Sequence, residues 1–154
     1  MLTDIEKKEI EAHIESLPRR NAACLEALSV VQKHRGWVSD ESLRDLAEFL
    51  EMSIHELDSV ATFYNLVFRR PVGRHVILVC DSISCWVMGY EKLVAHLNQK
   101  LGISWGETTP DQRFTLLPIP CLGTCDHAPA MMIGNDLHRD VEVEGLDEIL
   151  GRYE

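Results

Sequence analysis

The sequence predicts an α+β protein with a helical N-terminal region and a second domain built on a mixed β-sheet. In the first seventy residues, apolar side chains recur at helical spacing. Later, the β-branched run "HVILVC" and the run "RFTLLPI" read as buried strands on either side of a helical segment. Pro71 and Gly73, which interrupt regular secondary structure, lie between the helical segments and the first predicted strand. We therefore expect a helical bundle over residues 1–72 and a second domain over 73–154.

The N-terminal region is predicted to contain four short helices. Capping residues mark three of the helix starts: Thr3 with Glu6, Ser39, and Ser53 with Glu56. Gly36 is the expected C-terminal end of the second helix, and the last helix is expected to run through "LDSVATFYNLVF" to Phe68. Inward-facing positions are Ile5, Ile10 and Ile14 in the first helix and Leu43, Leu46, Ala47 and Leu50 in the third. Such a set of connected amphipathic helices is typical of a small bundle.

The second domain is predicted to follow the order β-α-β-β-β-α. A helix over residues 89–103 lies between the two buried strands, and its apolar positions predict one inward face. The segments "AMMIG" and "LHRDVEV" flank the turn residues "GND" and predict a hairpin, and "EGLDEILGRYE" predicts a closing helix. A strand, a crossover helix and a second strand favour a parallel pair, with the hairpin added antiparallel. This arrangement is close to a thioredoxin-like layout.

Charge and hydropathy exclude several classes of protein. The formal net charge is −10, from 25 acidic and 15 basic residues, so the basic footprint of a nucleic-acid binder is absent. An acidic surface instead suits docking on a basic protein partner. No apolar run approaches the roughly 20 residues of a membrane span. The N-terminal segment is charged and amphipathic, unlike a signal peptide, so a cytoplasmic location with reduced thiols is expected.

Four of the five cysteines form two pairs with related positions. Cys80 closes the first strand with Cys85 five residues later, and Cys121 follows the second strand with Cys125 four residues later. If the strands are parallel neighbours, both pairs emerge at the same edge of the sheet. Four thiolates suit either a tetrahedral zinc ion or an iron–sulfur cluster, and two wide loops fit a two-iron cluster somewhat better. Unrelated thiols or disulfides also remain open, whereas no C-x-x-C redox motif is present.

The sequence also resembles a known family. The segments "VATFYNLVF", "CDSISCWVMGYEKL", "RFTLLPIPCLGTCDHAPAMMI" and "LDEIL" are similar to the thioredoxin-like [2Fe–2S] ferredoxin subunit of bacterial respiratory complex I. The resemblance covers nearly the whole chain, and it implies that Cys80, Cys85, Cys121 and Cys125 bind one [2Fe–2S] cluster. Pro120 stands where members often carry a polar residue or another cysteine, and "VEVEG" replaces a commoner Leu-Thr-Pro-Glu. Neither departure touches a predicted ligand.

The resemblance implies an electron carrier without a catalytic residue or substrate site of its own. Its partner would be the flavin- and NADH-binding subunit of the same complex, which would carry the FMN and NADH, together with other peripheral-arm subunits. The helical region would dock on that partner, on the cytoplasmic side of the inner membrane. Equivalent subunits of NAD-reducing hydrogenases and NAD-dependent formate dehydrogenases are one alternative. A zinc-stabilised scaffold without a redox role is another.

Three further expectations concern individual residues. Asp81 and Asp126 each follow a predicted ligand. At about 8 Å and an effective dielectric of about 20, each charge would disfavour reduction by about 2 kcal/mol, on the order of 0.1 V. The sequence therefore predicts a low potential. Gly123 and Gly89 suit a close approach of the backbone to sulfur, and Cys24 is interpreted as a small buried hydrophobe.

Overall fold

The fold consists of two compact units. A computed structural model describes residues 1–154, and its internal contacts divide the chain into Met1–Pro71 and Val72–Glu154. This division falls one residue before the boundary expected from the sequence. The α+β class is confirmed, with helices at the N-terminus followed by a small mixed sheet. No helix combines the length and the apolar character that crossing a membrane requires.

The first unit contains four helices: α1 (Asp4–Ile14), α2 (Cys24–Arg35), α3 (Asp40–Phe49) and α4 (Ile54–Phe63). Both predicted capping boxes form, at the starts of α1 and α4, and the Ser39 side chain accepts a hydrogen bond from the amide of Ser42. Gly36 ends α2 in the left-handed conformation. These local signals are readable in the sequence because each cap satisfies backbone groups that a helix leaves unpaired at its end.

The core of the first unit is formed by fully buried aliphatic side chains, among them Ile10, Leu28, Leu46, Leu50 and Leu57. A charged pair lies beside it. The Glu6 carboxylate is buried and accepts hydrogen bonds from Nε and Nη2 of Arg35, at 2.7 and 2.8 Å. This guanidinium lowers the pKa of Glu6 to about 2. The pair ties the first turn of α1 to the last turn of α2.

Two expectations for the helical region are wrong. Ile5 is exposed, because the turn of α1 that precedes the core places the charged Glu6 inward instead. The last helix ends at Phe63 rather than at Phe68, and Tyr64 is extended. The following segment is held by the Gln32 amide, which donates to the carbonyl of Leu66 at 2.7 Å and accepts from the amide of Phe68 at 2.6 Å.

The second unit is a four-stranded mixed sheet with helices. Its elements are β1 (His75–Cys80), α5 (Ile83–Val87), α6 (Tyr90–Leu101), β2 (Phe114–Ile119), β3 (Met131–Ile133), β4 (Asp136–His138) and α7 (Leu146–Gly151). The strand order is β2-β1-β3-β4. Strand β1 pairs with β2 in parallel and with β3 in antiparallel orientation, and β3 and β4 form the predicted hairpin. Residues of α6 and α7 pack with β1, β2 and β3 in one hydrophobic cluster.

Strand β4 is shorter than "LHRDVEV" predicts. It ends at His138, and Asp140 then adopts a positive φ of 48°. The amide of Val141 donates to the carbonyl of Pro129 at 2.9 Å rather than continuing the ladder. A short 3₁₀ turn over Val143–Gly145 leads into α7. The chain therefore leaves the sheet after three residues, and the amide of Asp140 donates to the carbonyl of His127 in the loop that follows β2.

Candidate metal centre

The register of β1 and β2 brings the two cysteine pairs to one edge of the sheet. Cys80 is the last residue of β1 and lies opposite Ile119, the last residue of β2. The amide of Asp81 donates to the carbonyl of Ile119 at 3.0 Å. Cys121 follows two residues later. The parallel pairing predicted from the sequence is thus confirmed, and it places both loops at the carboxyl ends of the two strands.

The first pair of cysteines, Cys80 and Cys85, is buried. Cys80 and Cys85 are 2% and 1% exposed. Burial raises the pKa of the Cys85 thiol to about 11; the Ala130 N–H opposes this shift and the Cys80 thiol adds to it. The carbonyl of Ala130 accepts a hydrogen bond from the amide of Cys80 at 3.1 Å. Ala130 therefore fixes the backbone of Cys80.

The second pair lies in an exposed loop. Cys121 and Cys125 are both exposed, and none of the five cysteines forms a disulfide. Gly123 lies between them with φ of 72°, a conformation that favours glycine, and its amide donates to Cys121 Sγ at 3.2 Å. The two pairs therefore differ in solvent access, although they lie at the same edge of the sheet.

The structure brings some of the four thiols together more closely than others. Cys80 and Cys125 both help to raise the pKa of the Cys85 thiol, after its burial. Cys121 has the Gly123 amide as its hydrogen-bond partner. No group of three or more His, Cys, Asp or Glu side chains is gathered around one point as a single ion would need. Four free thiols offered from two loops fit the chemistry of a two-iron cluster.

The charged residues of the two loops face water. Asp81 is exposed, and the side chain of Asp126 is 80% exposed. His127 lies 3.5 Å from Asp126 through Nε2 and 2.7 Å from Asp140 through Nδ1. Because charges at such exposed positions are screened by water, we expect a smaller effect of each aspartate on the potential than the sequence-based value of about 0.1 V.

Gly89 does not have the role expected from the sequence. It precedes α6 with φ of 112°, and its amide donates to the carbonyl of Trp86. No atom lies within 4 Å of where a Cβ would stand at Gly89 or at Gly123. Both glycines are needed for backbone conformation, and only Gly123 also contacts a sulfur. Cys24 is the first residue of α2 and is partly buried against the core of the first unit.

Sequence reasoning does not reveal helix α5 or its surface. Cys85 is expected in a loop but lies inside this five-residue helix. Four large apolar side chains beside it are exposed: Ile83 by 69%, Trp86 by 53%, Val87 by 68% and Met88 by 60%. We call these four residues the α5 surface. The signal that could have revealed it is the apolar sequence "CWVM" directly after a polar turn.

Comparison with known proteins identifies the class to which this fold and these cysteines belong. The family model for thioredoxin-like [2Fe-2S] ferredoxins matches residues 10–154. The chain belongs to the thioredoxin-like [2Fe-2S] ferredoxin family. Similar curated proteins are named as one and the same subunit of NADH-quinone oxidoreductase. The one from Pseudomonas aeruginosa is 46% identical over 153 residues, covering 99% of this chain and 92% of the relative. The one from Escherichia coli K12 is 46% identical over 152 residues, with the same coverage.

Solved structures support the fold. An NAD+-reducing [NiFe]-hydrogenase in its H2-reduced state superposes with a TM-score of 0.69 at 24% identity, covering 82% of this chain. The air-oxidised form of such an enzyme gives 0.68 and covers 87%. The chain spans 22% of the hydrogenase chain in both cases. At this identity the similarity concerns the fold alone.

Proposed function

We propose that this chain is the [2Fe–2S] electron-transfer subunit of an NADH:quinone oxidoreductase and exchanges single electrons with the flavin of a partner subunit. The observation that carries the proposal is the presence of four free thiols at one edge of a parallel strand pair. Relatives at 46% identity over nearly the whole chain bear the name of that complex. The iron–sulfur family of the chain supports the chemistry.

The proposed ligands are Cys80 and Cys85 for one iron and Cys121 and Cys125 for the other. A bound cluster supplies a site that accepts and releases one electron. The protein sets how easily the added negative charge is accepted, through hydrogen bonds to sulfur and through burial. Gly123 donates an N–H to the sulfur of Cys121. This donor favours the more negative, reduced state.

The NADH and FMN sites are proposed to lie on the partner. This chain contains no glycine-rich G-x-G-x-x-G motif and no phosphate-binding P-loop. We propose that the chain joins a multisubunit oxidoreductase as a peripheral component on the cytoplasmic side of the inner membrane. The helical region over 1–72 is proposed to contribute to docking.

The α5 surface supports a partner contact close to the cluster. Exposed apolar patches beside a functional site are typical of protein interfaces, and electron exchange needs a short distance between donor and acceptor. Trp86 belongs to the residue type that most often dominates binding energy at interfaces. We propose that the flavin-binding partner covers this surface.

The decisive experiment on the cluster is anaerobic purification followed by spectroscopy and elemental analysis. We expect a brown protein with two irons and two sulfides per chain and a paramagnetic signal after reduction. A colourless protein that holds one zinc would instead establish the scaffold alternative. This measurement separates the two classes of function without any assay of the complex.

Cysteine variants test the proposed ligand set. Cys80→Ser and Cys121→Ser should each abolish the visible spectrum of the [2Fe–2S] cluster or change it strongly. Cys24→Ser is the matched control, because Cys24 lies in the helical unit and packs against its core. Loss of the cluster in the Cys24 variant would overturn the assignment.

The hydrogenase neighbours favour a second candidate, the equivalent component of an NAD-reducing hydrogenase. The supporting observation is the shared fold, at a TM-score of 0.69. Isolation of the tagged chain with its native partners distinguishes the two. Copurification with quinone-reductase subunits supports the first proposal, whereas copurification with a nickel–iron subunit supports the second.

The same isolation tests the α5 surface. Ile83→Glu should reduce recovery of the flavin-binding partner while the cluster spectrum stays unchanged. Leu137→Glu on β4 is the control, since Leu137 is also an exposed aliphatic residue, at 38%. Equal recovery with the two variants would remove the α5 surface from the interface.

A further inference from the structure

The four proposed ligands differ sharply in how a second molecule can reach them. Cys80 and Cys85 are 2% and 1% exposed, and Cys80 lies in β1 between two paired strands. Cys121 and Cys125 are exposed on the loop after β2. A carrier that delivers a preformed cluster must bring its iron within bonding distance of an acceptor sulfur. Only the second pair is open to such an approach.

We propose that the cluster is loaded by direct ligand exchange in a fixed order, with Cys121 and Cys125 capturing it from a thiolate-bound [2Fe–2S] carrier and Cys80 and Cys85 closing the site afterwards. The proposal rests on the proposed function, because it assumes that these four residues bind the cluster. It adds a partner class, a carrier that holds a [2Fe–2S] cluster through its own thiolates. It also assigns different roles to the two pairs.

The exchange step balances without an oxidant or a reductant. The Cys121 sulfur forms a bond to iron as the bond from iron to a carrier sulfur breaks. The S–H proton of Cys121 passes, directly or through solvent, to the departing carrier thiolate. The same exchange then occurs at Cys125, Cys80 and Cys85, so that four thiols of this chain replace four carrier thiolates. The oxidation state of iron is unchanged throughout.

The backbone around each pair is consistent with these roles. The amide of Gly123 is the hydrogen-bond partner of Cys121 Sγ, so the first sulfur to react is positioned without being covered. The inner pair is held by secondary structure, because the Cys80 amide donates to the carbonyl of Ala130 and Cys85 lies inside α5. A buried pair fixed in this way can bind iron only once the cluster is already at the edge of the sheet.

The first test measures thiol access in the wild-type chain prepared without iron. A short pulse of iodoacetamide is followed by peptide mass spectrometry of each cysteine. We expect Cys121 and Cys125 to be alkylated at least about ten-fold faster than Cys80 and Cys85. Equal or reversed rates would overturn the proposal. Since no variant is needed, the result does not depend on the folding of a mutant.

The second test follows uptake from a glutathione-coordinated [2Fe–2S] cluster by stopped-flow absorbance and circular dichroism. The double variant C80S/C85S should keep the fast capture phase and then hold the cluster loosely, so that a chelator removes it. The double variant C121S/C125S should lose the fast phase, and Cys24→Ser should behave like wild type. A fast phase retained in C121S/C125S and lost in C80S/C85S would overturn the proposed order.

The readouts separate this inference from the proposed function. The final cluster content of the wild-type chain reports whether a [2Fe–2S] centre forms at all. The order of alkylation and the variant that loses the fast phase report only the route of loading. Full loading with equal access of all four thiols would reject the route and leave the function standing.

Discussion

The backbone amide of Gly123 donates a hydrogen bond to the sulfur of Cys121, with N and Sγ 3.2 Å apart. Gly123 itself has a left-handed backbone with φ of 72°, so a side chain at this position would strain the segment that presents the amide. A donor aimed at a proposed ligand stabilises negative charge on it. This relationship links one glycine conformation to the redox behaviour expected of the site.

Gly123→Ala should lower the reduction potential. Alanine at this φ is strained by about 1 kcal/mol, and relief of the strain moves the N–H away from the sulfur. We expect a decrease of tens of millivolts in a redox titration. Gly106→Ala is the matched control, because Gly106 has φ of 79° and its amide donates to a carbonyl instead. Both variants should lose similar stability, and equal potentials in the two would contradict the role of the Gly123 amide.

Asp81→Asn and Asp126→Asn should each raise the potential only slightly. Both carboxylates are exposed, so the dielectric constant of water applies, and a charge about 8 Å away contributes about 0.5 kcal/mol, or about 20 mV for one electron. The shift should shrink further in high salt. Asp111→Asn is a control because Asp111 precedes β2, about 20 Å from the cysteine edge by strand length. A shift near 100 mV in either variant would show that the loop aspartates are not screened.

Glu6 and Arg35 should make the helical unit sensitive to acid. The guanidinium lowers the pKa of Glu6 to about 2 from an ordinary value of 4.5. A carboxylate with a lowered pKa stabilises the folded state above its unfolded value, and this stability is lost as the pH falls from about 4.5 toward 2. Because the Arg35 side chain is 28% exposed, we expect about 2 kcal/mol rather than the full equivalent of the shift.

The measurement is chemical denaturation at pH 7 and at pH 3, followed by far-UV circular dichroism. Glu6→Gln should lose stability at pH 7 and vary less between the two pH values than wild type. Glu56→Gln is the control, since Glu56 closes the other capping box with Ser53 but has no arginine partner. Glu56→Gln should lose less unfolding free energy than Glu6→Gln. An equal loss in the two variants would assign the effect to helix capping alone.

Local sequence signals predict much of the fold. Thr3, Ser39 and Ser53 are readable as helix starts because a cap and its partner lie three residues apart. The parallel pairing of β1 and β2 is predictable because a strand, a crossover helix and a second strand usually form one right-handed unit. That pairing carries the four cysteines to one edge, so the candidate site is readable from strand ends and spacing.

The features that the sequence does not predict depend on contacts between distant residues. Helix α4 ends early because Gln32 bonds to Leu66 and Phe68, more than thirty positions along the chain. Ile5 is exposed because Glu6 turns inward to meet Arg35. The difference in exposure between the cysteine pairs arises from the strands and Ala130 around one pair only, and spacing alone carries no information about it.

Arg113 should anchor the C-terminal helix. Its Nη2 donates to the carbonyl of Leu150 at 2.9 Å, its Nε donates to the carbonyl of Tyr153, and its Cζ lies 4.7 Å from the centre of the Phe114 ring. A planar guanidinium can satisfy both carbonyls while it lies over the ring, whereas a lysine ammonium is a single point charge. Arg113→Lys should therefore destabilise the domain by about 1–2 kcal/mol.

Hydrogen exchange locates this effect. Amides of α7 should lose protection in Arg113→Lys, because the last carbonyls of the helix lose a partner, while amides of β1 keep most of theirs. Arg139→Lys is the control, since Arg139 is exposed. Unchanged exchange across α7 in Arg113→Lys would mean that the apolar contacts of Leu146 and Leu150 alone hold the helix, both of which are buried in the core of the second unit.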